Sequence, residues 1–162
     1  MIQTSTLVVK RELLQSIPFK ADLQRHHEWD WLIRASVVPG VGIEFAREPL
    51  VIWYAEEQRK SVSSKNHWQY SLSWIQELRT LVTPRAYAAF IMTVVGAIAA
   101  REGDRHAFWP LLKEAVWVGR PKPIDLALYL GMWLIPQDGR RQIRALVQSI
   151  RDRGAKGRLS ET

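Results

Sequence analysis

Glu28-Trp29-Asp30 sets two carboxylates two residues apart, with His26 and His27 directly before them and Arg34 four residues after Asp30. A carboxylate at a helix N-terminus, aimed into a cleft, can take a proton from a hydroxyl, and the helix end favours its ionised form. Flanking Trp29 and Trp31 act in the opposite sense, because excluding water raises a carboxylate pKa. The same residues also have an ordinary reading: acids in a first turn complement the helix dipole, and Asp30 with Arg34 is an i,i+4 ion pair. On a helix, residues i and i+2 point about 200° apart, so Glu28 and Asp30 cannot grip one cation. His26 and His27 have no acid or further histidine at metal-ligand spacing, which argues against zinc. The hydroxyls of Thr4, Ser5 and Thr6 stand in no recognisable relation to a histidine and an acid, so they do not read as nucleophiles. Gly40-Val41-Gly42 is too short to cradle phosphate and reads as a turn into a strand.

These groups sit in a chain of 162 residues, 47% hydrophobic and 24% charged, a composition that fits a globular protein and excludes wholesale disorder. The absence of cysteine removes disulfide scaffolds, thiolate metal sites, iron–sulfur clusters and thiol nucleophiles from consideration. The longest uncharged apolar stretch, Ala86 to Ala100, has 15 residues and reads as a buried helix rather than a span of the roughly 20 that cross a bilayer. Met1 leads into a strand-like segment instead of a basic, then apolar, leader. The expectation is a cytoplasmic protein, with peripheral attachment at the inner membrane face as its membrane-linked form. Net charge is +7, of which residues 103–162 carry +5. A basic surface attracts nucleic acid, anionic lipid or phosphorylated ligands. As a function, nucleic-acid binding ranks last, for want of any reading motif.

The elements that must position the acids follow from periodicity. Thr4 to Lys10 is rich in β-branched residues and predicts a strand, feeding a short helix over Arg11 to Ile17 that Pro18 ends. Helical spacing runs from Glu28 to Val38 and stops at Pro39-Gly40. Val41 to Ala46 and Pro49 to Tyr54 read as two strands or one interrupted strand, followed by a polar connection over Gln58 to Ser64. Beyond Lys65 the period is helical throughout, predicting helices at about 66–82, 84–102, 104–118, 123–135 and 138–153. Thr83-Pro84, Gly103-Asp104 and Gly119 before Pro121-Lys122-Pro123 mark their ends. In the last helix Ile143, Leu146, Val147 and Ile150 form an apolar stripe opposite Arg140, Arg144 and Arg151, which could meet an anionic surface but read first as a solvated face. The eight tryptophans lie mostly in apolar stripes, and at least five are expected in the core. The fold class expected is α+β: a short α/β piece of two or three strands and two helices over residues 1–60, then a bundle of about five helices over 61–162.

Thr4 to Arg11, His26-His27-Glu28-Trp29-Asp30-Trp31-Leu32-Ile33-Arg34, Val41 to Phe45 and Glu48 to Trp53 together resemble the second half of the catalytic domain of family 2 glycosyltransferases. In that half an acceptor-side strand precedes a helix opening with a Glu-Asp pair, an aromatic residue, a second Asp, apolar residues and Arg. The resemblance covers roughly residues 3 to 60. It implies transfer of a sugar from a nucleotide-sugar to a hydroxyl acceptor, with Glu28 as catalytic base, Asp30 as the second acid, His27 and Arg34 in support, and Thr4, Ser5 and Thr6 beneath the acceptor cleft. Two positions depart from the pattern: Glu28 stands where Asp is usual, and His27 where Glu is usual. The chain holds no Asp-x-Asp, the family's metal-binding motif. Divalent manganese or magnesium, and the nucleotide-sugar donor, are therefore expected only for a complete enzyme that supplies the nucleotide-binding half, and this chain alone carries no cofactor. The chain reads as truncated on that view. The alternative is a non-catalytic helical interaction module that binds a protein or anionic partner.

Overall fold

The computed structural model describes residues 6–48, 50–51, 67–135 and 139. The chain divides into two compact units, Met1–Tyr87 and Ala88–Thr162.

In the first unit, α1 (Arg11–Ser16) ends where Ser16 Oγ turns back to donate to Leu13 O at 2.9 Å. Helix α2 (His27–Ser36) buries Asp30, Trp31 and Ala35, the i, i+1 and i+5 positions of its inner face, and places Arg34 in its last turn. Helix α3 (Trp68–Glu77) buries Ser71, Trp74 and Ile75 and runs into a 3-10 turn at Arg79–Leu81.

The expected sheet is not formed. Among the described residues there is no strand, so the α+β assignment is overturned in favour of a helical fold. Residues 7–10 and 41–46 are irregular, and among the described residues no backbone hydrogen bond joins them. They do flank one cavity of about 700 Å³, which Trp31, Leu32 and Ala35 of α2 also line. Both segments border that cavity, but among the described residues they form no ladder. A β-branched run becomes a strand only when another edge satisfies its backbone and a face covers its side chains. Here the first requirement is not met among the described residues, since neither segment's backbone pairs with the other; Leu7 and Val9 are half-buried, while Val8 is fully exposed and Phe45 is 75% exposed. Thr4, Ser5, Trp53, the remainder of the 49–54 segment, the 58–64 connection and the helix expected over 138–153 with Arg140, Arg144 and Arg151 lie outside the described residues.

The helical boundaries expected from capping chemistry are in place. Thr83 Oγ1 accepts from Ala86 N–H at 3.2 Å at the start of α4 (Pro84–Phe90). A π-turn over Ile91–Val95 joins α4 to α5 (Gly96–Glu102), with Gly96 N–H donating to Ile91 O five residues back. Gly103 closes α5 in the left-handed region at φ 75°, and Asp104 accepts from His106 N–H at 3.2 Å. Helix α6 (Phe108–Val118) and α7 (Pro123–Leu134) follow, and at the start of α7 Lys122 N–H donates to Asp125 Oδ2 at 2.8 Å.

The core of the second unit forms where the π-turn meets both α6 and α7. Ile91, Met92, Val95, Ala99, Leu111, Ala115 and Tyr129 are fully buried there. Gly96 permits the closest approach: a Cβ at that position would lie 2.8 Å from Tyr129 Cε2. Tyr129 is held in turn, since its hydroxyl donates to Phe108 O at 2.6 Å and its ring stacks on Phe108 at 5.3 Å.

Candidate functional site

The α2 N-terminus gathers the polar side chains of the first unit. His26, just before the helix, adopts φ 69°, the one non-glycine residue with positive φ among the described residues. That conformation lets its carbonyl accept the first helical bond, from Asp30 N–H at 2.8 Å. Its ring Nε2 lies 2.9 Å from Ser71 Oγ, and the ring packs on Trp74 with centroids 4.5 Å apart. Burial is the main cause that lowers the His26 pKa to about 4; Arg25 and His27 push in the same direction, and Glu28 opposes them. The ring is therefore neutral at neutral pH.

Asp30 is the centre of the arrangement. Its carboxylate has no exposed surface and receives Arg34 Nε at 2.7 Å on Oδ2 and Lys20 Nζ at 3.2 Å on Oδ1, with Trp74 Nε1 at 3.4 Å on Oδ1. Burial acts to raise the Asp30 pKa, but the hydrogen bonds and charges of Arg34 and Lys20 outweigh it and hold the carboxyl below the usual 3.8. Arg34 also donates through Nη2 to Pro18 O at 3.0 Å, and Trp31 Nε1 donates to Ile17 O at 2.6 Å. Gln24 N–H donates to Tyr70 Oη at 2.9 Å. The loop between α1 and α2 is thus fastened to both α2 and α3 by charged or polar side chains.

Glu28 and His27 are half-buried in the first turn of the same helix. Glu28 acts electrostatically on His26, whereas Asp30 is committed to Lys20, Arg34 and Trp74. Of the site residues expected from sequence, the structure joins Asp30 directly to Arg34; Thr6 is exposed, and Thr4 and Ser5 are not described. Among the described residues no group of three or more histidines and acids could hold a metal ion.

Lys20, Ser71 and Trp74 were not singled out by sequence for this site, and His26 was weighed there only as a metal ligand. Only the helical i,i+4 spacing of Asp30 and Arg34 announces its partner; Lys20 reaches Asp30 from an irregular loop ten residues away, and Ser71 and Trp74 from more than forty. The tryptophan expectation also needs correction. Trp31 and Trp74 are buried and Trp68 and Trp133 half-buried, but Trp29, Trp109 and Trp117 are 41%, 71% and 80% exposed.

No protein-family model, curated protein or solved structure matches this chain. The resemblance to family 2 glycosyltransferases rests on the residues quoted for it.

Proposed function

We propose that this chain provides the acceptor side of a nucleotide-sugar-dependent glycosyltransferase, with Glu28 as the base and Asp30 as a positioning residue. The observation that supports this division is that α2 treats its two acids differently. Asp30 is fully buried and bound by two cations, while Glu28, about 200° round the helix, is half-buried. A carboxylate neutralised by Arg34 and Lys20 is a poor proton acceptor, which leaves Glu28 for that task. In the reaction the acceptor oxygen forms a bond to the anomeric carbon as the bond from that carbon to the diphosphate breaks. Glu28 takes the hydroxyl proton and the nucleoside diphosphate leaves. Manganese or magnesium, which would neutralise the leaving diphosphate, belongs with a donor-binding half supplied from outside these residues.

The second reading, a non-catalytic interaction module, draws on the two irregular segments around the 700 Å³ cavity, whose backbones have no partner in each other. The two readings part in one experiment. Saturation-transfer NMR on the full chain with methyl glycosides of common hexoses should show contacts weakened by Glu28→Gln, and calorimetry with nucleotide-sugars, with or without manganese, should show no heat. Absence of any glycoside contact would leave only the interaction module. A clear nucleotide-sugar signal would overturn the division of labour proposed for the two halves.

A further inference from the structure

Helix α6 buries Leu111 and Ala115 one turn apart and turns a different set of residues outward. Trp109, Lys113 and Trp117 follow at intervals of four, so they share one face along roughly 12 Å of helix. Trp109 is 71% and Trp117 80% exposed, with Val116 beside them at 45%. Lys113 lies with Nζ 5.1 Å from the Trp117 ring centroid, its stem along the aromatic face and its ammonium at the edge of the stripe.

Two large indoles presented to solvent on one stripe are not needed by the core, which α6 already serves with its opposite face. The charges around them are unequal in availability. Arg105, Lys113, Arg120 and Lys122 are exposed, whereas Asp104 and Asp125 cap backbone N–H groups, Glu114 is half-buried and only Glu102, at the end of α5, is an exposed acid among the described residues of this unit. No described helix is long and apolar enough to cross a membrane.

We propose that the Trp109-Lys113-Trp117 face of α6 docks on an anionic lipid bilayer, lying in its interface. Tryptophan is suited to that depth, with an apolar ring and a polar N–H, and lysine extends an apolar stem while its ammonium reaches the phosphates. Exposed cations at both ends of the helix meet the negative surface. A second copy of the chain fits this face less well. Symmetric pairing would set Lys113 against its own counterpart, and the face offers no exposed carboxylate to meet it. This surface lies apart from the α2 cluster, and the proposal does not depend on the reading of Glu28.

The test is flotation of the full chain with vesicles of phosphatidylcholine alone and with about a third phosphatidylglycerol. The chain should float with the anionic vesicles, far less with the neutral ones, and less as salt is raised. Trp109→Ala with Trp117→Ala should weaken binding at least about tenfold, because both rings leave the interface. Lys113→Glu should weaken it as well, and unchanged circular dichroism would show that these exposed positions leave the fold intact. No flotation, or flotation of the double tryptophan variant equal to that of the parent, would overturn the proposal. So would a tryptophan-dependent dimer in analytical ultracentrifugation, which would assign the face to a second copy.

Discussion

Arg34 stands one helical turn beyond Asp30 and donates to its Oδ2 at 2.7 Å, while its other end donates to Pro18 O at 3.0 Å. One guanidinium therefore joins a buried carboxylate to the loop that precedes its own helix. The pair does more than an exposed i,i+4 contact, because the carboxylate it neutralises has no access to water.

Asp30→Asn should lower stability by about 2–4 kcal/mol in urea denaturation, since it leaves Arg34 and Lys20 facing a neutral amide across a buried site. Lys20→Met should cost no more than about 1 kcal/mol, because Lys20 is 42% exposed and its charge is screened. Equal effects from both substitutions would contradict the central role assigned to Asp30.

Acidification should destabilise the chain in two steps. The His26 ring titrates near 6.5 when unfolded and about 4 when folded, so the unfolded chain binds its proton first. Its contribution is complete above pH 6.5 and is lost as pH falls toward 4. Asp30 contributes above 3.8 and loses its contribution as pH falls through its lower folded value. His26→Asn, which keeps a residue tolerant of positive φ, should flatten the pH dependence of the urea midpoint between 4 and 6.5.

Gly96→Ala should destabilise by about 1–3 kcal/mol, despite alanine's better helix propensity, because the new methyl meets the Tyr129 ring. The ring cannot retreat without giving up the bond from its hydroxyl to Phe108 O. A thermal melt at or above the parent value would show that the α5–α7 contact is looser than described.

On the glycosyltransferase reading proposed above, with a donor half supplied, Glu28→Gln should reduce turnover roughly 100-fold or more with little change in melting temperature. Asp30→Asn should reduce the melting temperature first. Turnover intact in Glu28→Gln, together with a folded but inactive Asp30→Asn, would exchange the two roles.

Local chemistry in the sequence anticipated local structure well. The Thr83 cap, the Gly103 stop, the Asp104 cap and the i,i+4 partner of Asp30 are all interactions within a few residues, and each is present. The strands failed for the complementary reason. Val41 to Ala46 has strand-like composition, but a strand is a property of two segments, and composition does not show whether a partner edge will reach it. Lys20 and Trp74 escaped notice on the same ground, because their approach to Asp30 is fixed by tertiary packing.

The turn at Ile91–Val95 carries one residue more than an α-helical turn, so everything after it is rotated by about 100° relative to an uninterrupted helix. Thr93 Oγ1 steadies the widened turn by donating to Ala89 O at 2.6 Å. The apolar pattern of residues 84–102 therefore obeys two phases, and removing a single residue within 91–95 would bring them into step. Such a deletion would leave a longer regular helix in which Gly96 still faced Tyr129, whereas straightening the turn with every residue kept would swing Gly96 about 100° away from that ring. In this stretch of chain, the count of residues rather than their chemistry aligns the two halves of the run.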